Sequence, residues 1–297
     1  KISSHYKDRH LVHARWAHLT APQPVHIEQG RAKCQARNLC MRGCPFGGYF
    51  SSNSSTLPWA QKTGNLTLRP DSVVHSIIYD GKKGRASGVR VIDANSKEVT
   101  EYFAGIIFLN ASTLNSNLIL LNSTSGRFPD GLGNENGLLG KYVAFHNYRG
   151  SLVARMEGYQ DSYYYGRRPT AVMMPNFRNV YKQEMDFQRG YMTFYSATRS
   201  GWGHPSNGET LGAAYKEAIS EPGDWGIYMM MQGETIPRAE NPVSVSKDGK
   251  DEWGIPLLEI SVGYDENDEL LLRDFLAQGA EKLERAGWKD IRPRGSK

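Results

Sequence analysis

The chain has 297 residues, enough for one large domain or two ordinary ones with a buried core and no need of disulfides. Its 39% hydrophobic and 23% charged residues exclude disorder, collagen and coiled coil, and no apolar run approaches the ~20 residues of a membrane-spanning helix. Its 36 basic and 31 acidic residues leave a charge of +5 spread along the chain rather than gathered in one stripe, so nucleic acid is not an expected partner.

In chain order, residues 1–55 carry five of the eight histidines (His5, His10, His13, His18, His26) and all three cysteines with little periodicity, which predicts a loop-rich segment. Residues 56–140 form a second region. Within it LTL at 66–68, VVHSIIY at 73–79, SGVRVID at 87–93 and EVTEYF at 98–103, punctuated by Asp80-Gly81 and Asn95-Ser96, predict an antiparallel meander. An apolar strand over 105–109, a small-residue turn at Asn110-Ala111-Ser112-Thr113 and a helix with Leu114, Leu118 and Leu121 on one face follow. FPDGLGNENGLLG, at 128–140, is turn-forming.

Residues 141–262 hold aromatic-rich, period-two segments (NYRGSLVARM, GYMTFYSATR, WGIYMMMQGE) that predict a second antiparallel sheet in a separate domain. Residues 263–297 begin with the clearest helix, from Glu266 to Ala286. Leu272, Phe275, Leu276, Gly279 and Leu283 share its apolar face, and Gly287 stands at its C-terminal cap. The fold class expected is α+β.

The strongest chemical signal is CQARNLCMRGCPFGG, in which Cys34, Cys40 and Cys44 are spaced C-x5-C-x3-C before Pro45. Thiolates this close in sequence can face one point. The final C-x3-C-P is similar to the end of a bacterial ferredoxin motif, and three ligands suit a three-iron cluster. Zinc would need a fourth ligand, which His26 or His18 could supply. Spacing alone leaves cluster, zinc and unligated thiols open. An odd number of cysteines cannot all pair with one another.

The cysteine run continued through YFSSNSSTLPWAQKTGNLTLRPDSVV, then RASGVRVID and FLNASTLNSNLILLNS, resembles the middle of the glucose-methanol-choline (GMC) flavin oxidoreductases. The cysteine spacing resembles that of their cytochrome-linked sugar dehydrogenases of gluconate, glucose, fructose and glucoside 3-dehydrogenase type, whose catalytic subunit carries a 3Fe-4S cluster. The resemblance implies part of a GMC-type FAD-binding domain plus a substrate domain built on an antiparallel sheet with flanking helices. It implies FAD and the 3Fe-4S cluster as cofactors, with Cys34, Cys40 and Cys44 as cluster ligands. It also implies a sugar or glycoside substrate, a small partner subunit, a cytochrome or other electron acceptor, and a periplasmic location. Such enzymes cradle the FAD pyrophosphate on a G-x-G-x-x-G turn, which does not occur in these 297 residues, and their catalytic His follows a helix like that of 266–286. The expectation is therefore a central fragment or processed chain, inactive alone, with no catalytic residue of its own and the expected His beyond Lys297.

Residue by residue, the resemblance sets Val74 where the backbone meets the adenine, and Asn110, Ala111 and Ser112 in the turn beside the diphosphate, where small side chains allow close approach. The alternative is a core strand residue at Val74 and a plain helix cap at Asn110 to Ser112. Glu234, in QGETIPRAEN, matches a substrate-domain position where a carboxylate could orient sugar hydroxyls. A solvated strand-end carboxylate is the plain alternative. His146 stands where the family has an acidic-His pair near the flavin, although Phe145 here replaces the acid. His10 and His13 could share a helical face without binding metal. Met229 to Met231 and Tyr163 to Tyr165 fit either a sugar platform or core packing. The glycosylation-like strings at 53, 65, 110 and 122 are read as accidental.

The leading expectation is an FAD-dependent dehydrogenase that oxidises a sugar or glycoside hydroxyl and relays electrons through the cluster. The competing one is a non-catalytic carbohydrate-binding or interaction module with a structural metal loop.

Overall fold

A computed structural model describes residues 2–37, 40, 43–159, 161, 171–199, 210–220 and 223–294, which fall into two compact units. Unit 1 is built from residues 1–66, 146–235 and 264–297, and unit 2 from 67–145 and 236–263. The chain opens in unit 1 with β1 (Val12–His13), α1 (Pro24–Glu28) and α2 (Thr56–Lys62). Unit 2 follows with β2 (Ser72–Asp80), β3 (Arg85–Asp93), β4 (Val99–Phe103) and α3 (Ser112–Asn122). Unit 1 resumes with β5 (His146–Asn147), β6 (Ser151–Met156), β7 (Ala171–Met174), β8 (Tyr191–Arg199), α4 (Gly212–Ala218) and β9 (Trp225–Glu234). The hairpin β10 (Val243–Lys250) and β11 (Pro256–Ile260) belongs to unit 2, and α5 (Glu266–Arg285) with β12 (Lys289–Pro293) to unit 1. The mixed α+β class is as expected.

In unit 1 an antiparallel sheet runs in the order β1-β7-β8-β9-β6-β12, with β5 paired to β9. Period-two alternation sorts β9 cleanly. Ile227, Met229 and Met231 point to one face and are buried there, whereas Tyr228, Met230 and Gln232 point to the other. The buried face is covered by α5, whose Leu271, Phe275 and Leu283 join Leu152, Met229, Met231 and Tyr191 in one core. The helix starts at a capping box: Asp265 accepts from the Asp268 N–H at 3.0 Å, and Asp268 accepts from the Asp265 N–H at 3.1 Å. Burial raises the pKa of the Asp268 carboxyl. Gly287 has a φ of +87° just beyond the helix, as a C-terminal cap requires.

Gly150 lets the sheet approach α5. A Cβ there would fall 2.5 Å from Phe275 Cδ1 and 2.8 Å from Cε1, on a ring that is fully buried. Gly150→Ala is expected to lower stability by about 1–3 kcal/mol, measured as a fall in the urea midpoint. An unchanged midpoint would contradict this packing.

Unit 2 contains the predicted meander, with β3 between β2 and β4, and the β10–β11 hairpin. Ser123, at the end of α3, ties helix to sheet by accepting the Ile77 N–H at 2.7 Å. Trp253, in the hairpin turn, donates from Nε1 to Ala94 O at 3.1 Å.

Several expectations change. LTL at 66–68 is not a strand, and residues 105–109 form no strand either: Ile106 is 75% and Phe108 82% exposed. Apolar character fills a strand only where neighbours pair with it, and among the described residues this run has none. On α3 the buried residue is Ile119, while Leu114 is exposed. His13 lies on β1 and shares no helical face with His10. The hairpin residues 236–263 group with 67–145 rather than with the 146–235 sheet.

Candidate functional site

The cysteine segment is organised by main-chain bonds among three short stretches. Leu19 N donates to Gly48 O, Phe50 N to Ala17 O, Cys34 N to Leu19 O and Ala32 N to Phe46 O, at 2.6–2.8 Å. These bonds bring Cys34, Cys40 and Cys44 to the wall of one pocket that also includes His18, Arg37 and Tyr49. The chain turns sharply to do so, with φ values of +54° at Ala36, +88° at Gly43 and +57° at Gly47. Gly48 is required for the close approach, since a Cβ on it would stand 3.0 Å from Cys34 Cα.

All three thiols are free and half-buried. Burial pushes the Cys44 thiol up, but hydrogen bonds from the backbone at Tyr49, Phe46 and Gly48 and the Arg37 charge outweigh it and hold it below its ordinary value. This favours the thiolate, the form that ligates metals. His18 Nε2 lies 3.2 Å from Cys40 Sγ and its ring packs at 5.2 Å from Tyr49. His26 lies elsewhere, on α1, where its Nδ1 accepts from Gln23 N at 2.9 Å.

Among the described residues, no group of three or more His, Cys, Asp or Glu side chains is placed to hold a metal ion. A single zinc would need its ligands at ~2.0–2.3 Å from one centre, and this is not such an arrangement. Three thiols around one pocket are the donor type that an iron–sulfur cluster uses.

Val74 lies on β2, half-buried and paired with Val91. Asn110 and Ala111 lead into α3, whose N-cap is Ala111. Among the described residues no side chain caps that end. Ser112 adopts a left-handed φ of +64°. An uncapped helix start reached through small side chains leaves backbone N–H groups available to a cofactor phosphate, which fits an FAD diphosphate there.

In unit 1, Glu234 and His146 are direct cross-strand neighbours, on β9 and β5. The sequence alone gave no reason to join them. His146 Nε2 is 3.2 Å from Gln232 Nε2, its ring meets Tyr148 edge-on at 5.2 Å, and Glu234 lies 3.9 Å from Arg189. Gln232 was missed by sequence reasoning, although the two-residue step from Glu234 along a strand would have found it. Of the methionines, Met229 and Met231 are core, while Met230 faces out of the sheet. Tyr163 to Tyr165 lie outside the described residues.

Residues 21–146 match the family described as GMC oxidoreductase. The chain is 28% identical over 252 residues to 2-methyl-1,2-propanediol dehydrogenase of Mycolicibacterium austroafricanum, covering 81% of this chain and 44% of that protein. It is 25% identical over 234 residues to the fructose dehydrogenase large subunit of Gluconobacter japonicus (78% and 42%). It is 23% identical over 263 residues to the gluconate 2-dehydrogenase flavoprotein of Pantoea cypripedii (83% and 42%). The chain thus spans less than half the length of these relatives.

Proposed function

We propose that this chain is the central portion of an FAD-dependent dehydrogenase that oxidises a CH–OH group of a sugar or glycoside and passes the electrons through a 3Fe-4S cluster to an external acceptor. The observation that carries the reading is the convergence of Cys34, Cys40 and Cys44 on one pocket, within the stretch that matches GMC oxidoreductases. The three relatives support it by name, being dehydrogenases of a branched diol, fructose and gluconate.

Bound FAD supplies a hydride acceptor, and a cluster supplies one-electron transfer. Cys34, Cys40 and Cys44 would hold the cluster as thiolates. The backbone donors at Phe46, Gly48 and Tyr49 stabilise the Cys44 anion, and His18 orients the Cys40 sulfur. Val74 and the turn Asn110, Ala111 and Ser112 would line the FAD. Glu234, with His146 and Gln232 beside it, would take hydrogen bonds from substrate hydroxyls and hold them in register.

One relative is named as a large subunit, which supports a small partner subunit here, with a cytochrome or another acceptor beyond it and a periplasmic location as parts of the same proposal. Among the described residues no helix is long and apolar enough to cross a membrane. The match of residues 21–146 to GMC oxidoreductases favours this reading over the carbohydrate-binding module.

The test is low-temperature EPR with iron and sulfide analysis on the full-length protein purified without air. A three-iron signal that vanishes on adding substrate is expected. Zinc or bare thiols in its place would overturn the cluster.

A further inference from the structure

We propose that the face of the unit 1 sheet opposite α5 is a binding site for the apolar part of the substrate, and that it selects glycosides with an aromatic or branched aglycone over free sugars. This rests on the dehydrogenase reading above for the identity of the hydroxylated head, but on the sheet alone for the apolar pocket.

The alternation that buries Ile227, Met229 and Met231 under α5 turns Tyr228, Met230, Gln232 and Glu234 to the opposite side. Register then decides what stands beside them. Phe194 lies opposite Met230, Ser196 opposite Tyr228, and His146 opposite Glu234. The outcome is a cavity of about 430 Å³ walled by Trp16, Tyr148, Phe194, Tyr228 and Met230, with Gln232 at its edge. Its size falls within the ~300–1,000 Å³ of ordinary ligand pockets. The rings are only partly covered: Trp16 is 47%, Tyr148 49% and Tyr228 39% exposed. Among the described residues these large aromatics cluster partly exposed on one sheet face, a feature of binding surfaces.

The chemistry along β9 is graded. Tyr228 and Met230 offer rings and a thioether. Two residues on, Gln232 is tied to His146 at 3.2 Å, and Glu234 follows with a carboxylate. A ligand that matches this gradient has an apolar body of about one ring and a polyhydroxyl head. A free hexose seated against Phe194, Met230 and Trp16 would lose water from its hydroxyls with few partners to replace it, at a cost that an aryl group does not incur.

The experiment is calorimetric titration of the full-length flavoprotein with phenyl β-glucoside and methyl β-glucoside, and of its Tyr228→Ala and Phe194→Ala variants with both. The phenyl glycoside is expected to bind at least tenfold more tightly, and each variant to reduce that ratio to threefold or less. Equal affinities in the parent protein, or a ratio that neither variant changes, would overturn the proposal. Flavin bleaching, followed in the same samples, separates the two readings. A phenyl preference without bleaching supports the pocket and removes the dehydrogenase, whereas bleaching by both glycosides at equal affinity removes the pocket and keeps the dehydrogenase.

Discussion

Cys40→Ser in the full-length protein is expected to abolish the three-iron EPR signal and to reduce turnover with an external acceptor by on the order of 100-fold or more, the upper range for loss of metal-site integrity. Reduction of the flavin by substrate, followed anaerobically, is expected to proceed as in the parent protein. The reason is chemical. A serine hydroxyl is a hard, protonated oxygen at neutral pH and does not replace a soft thiolate on iron. The position is also specific, because Cys40 is the thiol that His18 contacts at 3.2 Å, so its loss removes both a proposed ligand and the partner of His18. Acceptor turnover that persists at the parent rate would remove the relay from the mechanism. Loss of flavin reduction as well would mean that the loop supports the FAD region rather than electron exit.

Much of this site can be read from the residues in advance, and the divisions between what can and cannot be read have physical causes. The C-x5-C-x3-C spacing places three thiols within reach of one another because so short a loop, closed by Gly and Pro, has little choice but to fold back. The place of His18 beside Cys40 depends instead on the main-chain bonds that pair 17–19 with 48–50, which no local pattern announces. Strand alternation in WGIYMMMQGE is plain in the sequence, yet which set of alternate residues is buried depends on α5 lying over Met229 and Met231. Met230 therefore separates from its neighbours only once that helix is in view.

The terminal helix shows the same limit. Its start, its capping box and its glycine stop are local chemistry and legible as such. Its buried face is not wholly so. Leu272 and Leu276 pack only partly, while Leu271 and the charged Lys282 are fully buried. For 105–109 the apolar run is right for a buried strand, but a strand is a property of two segments, and none of the described residues pairs with that run.

Lys282→Met is expected to stabilise the protein at pH 7 and to flatten its stability between pH 7 and pH 10. Lys282 is fully buried on α5, with no hydrogen-bond partner for Nζ among the described residues. Burial, reinforced by the like charges of Arg9 and Arg178, pushes its pKa down to about 7, against the opposing pull of Asp274 and Glu281. The Phe177 ring, 4.0 Å from Nζ, returns part of the lost solvation. Because the folded value lies below the ordinary value of 10.5, the unfolded chain binds more protons than the folded one between about pH 7 and 10.5. Stability therefore rises with pH across that window. Each tenfold loss of proton affinity on folding costs about 1.4 kcal/mol, so the penalty at pH 7 amounts to a few kcal/mol. Methionine has nearly the same shape, needs no partner and carries no charge, and its introduction leaves no carboxylate stranded, since Asp274 remains bound by Arg178 at 2.7 Å and by Tyr191 at 2.6 Å. Urea unfolding at pH 7, 8.5 and 10 should show the variant more stable at pH 7 and the two proteins converging at pH 10. A variant that is less stable at pH 7, or a gap that stays constant with pH, would mean that Lys282 is held as a charged partner of Asp274 or Glu281 rather than as a buried amine.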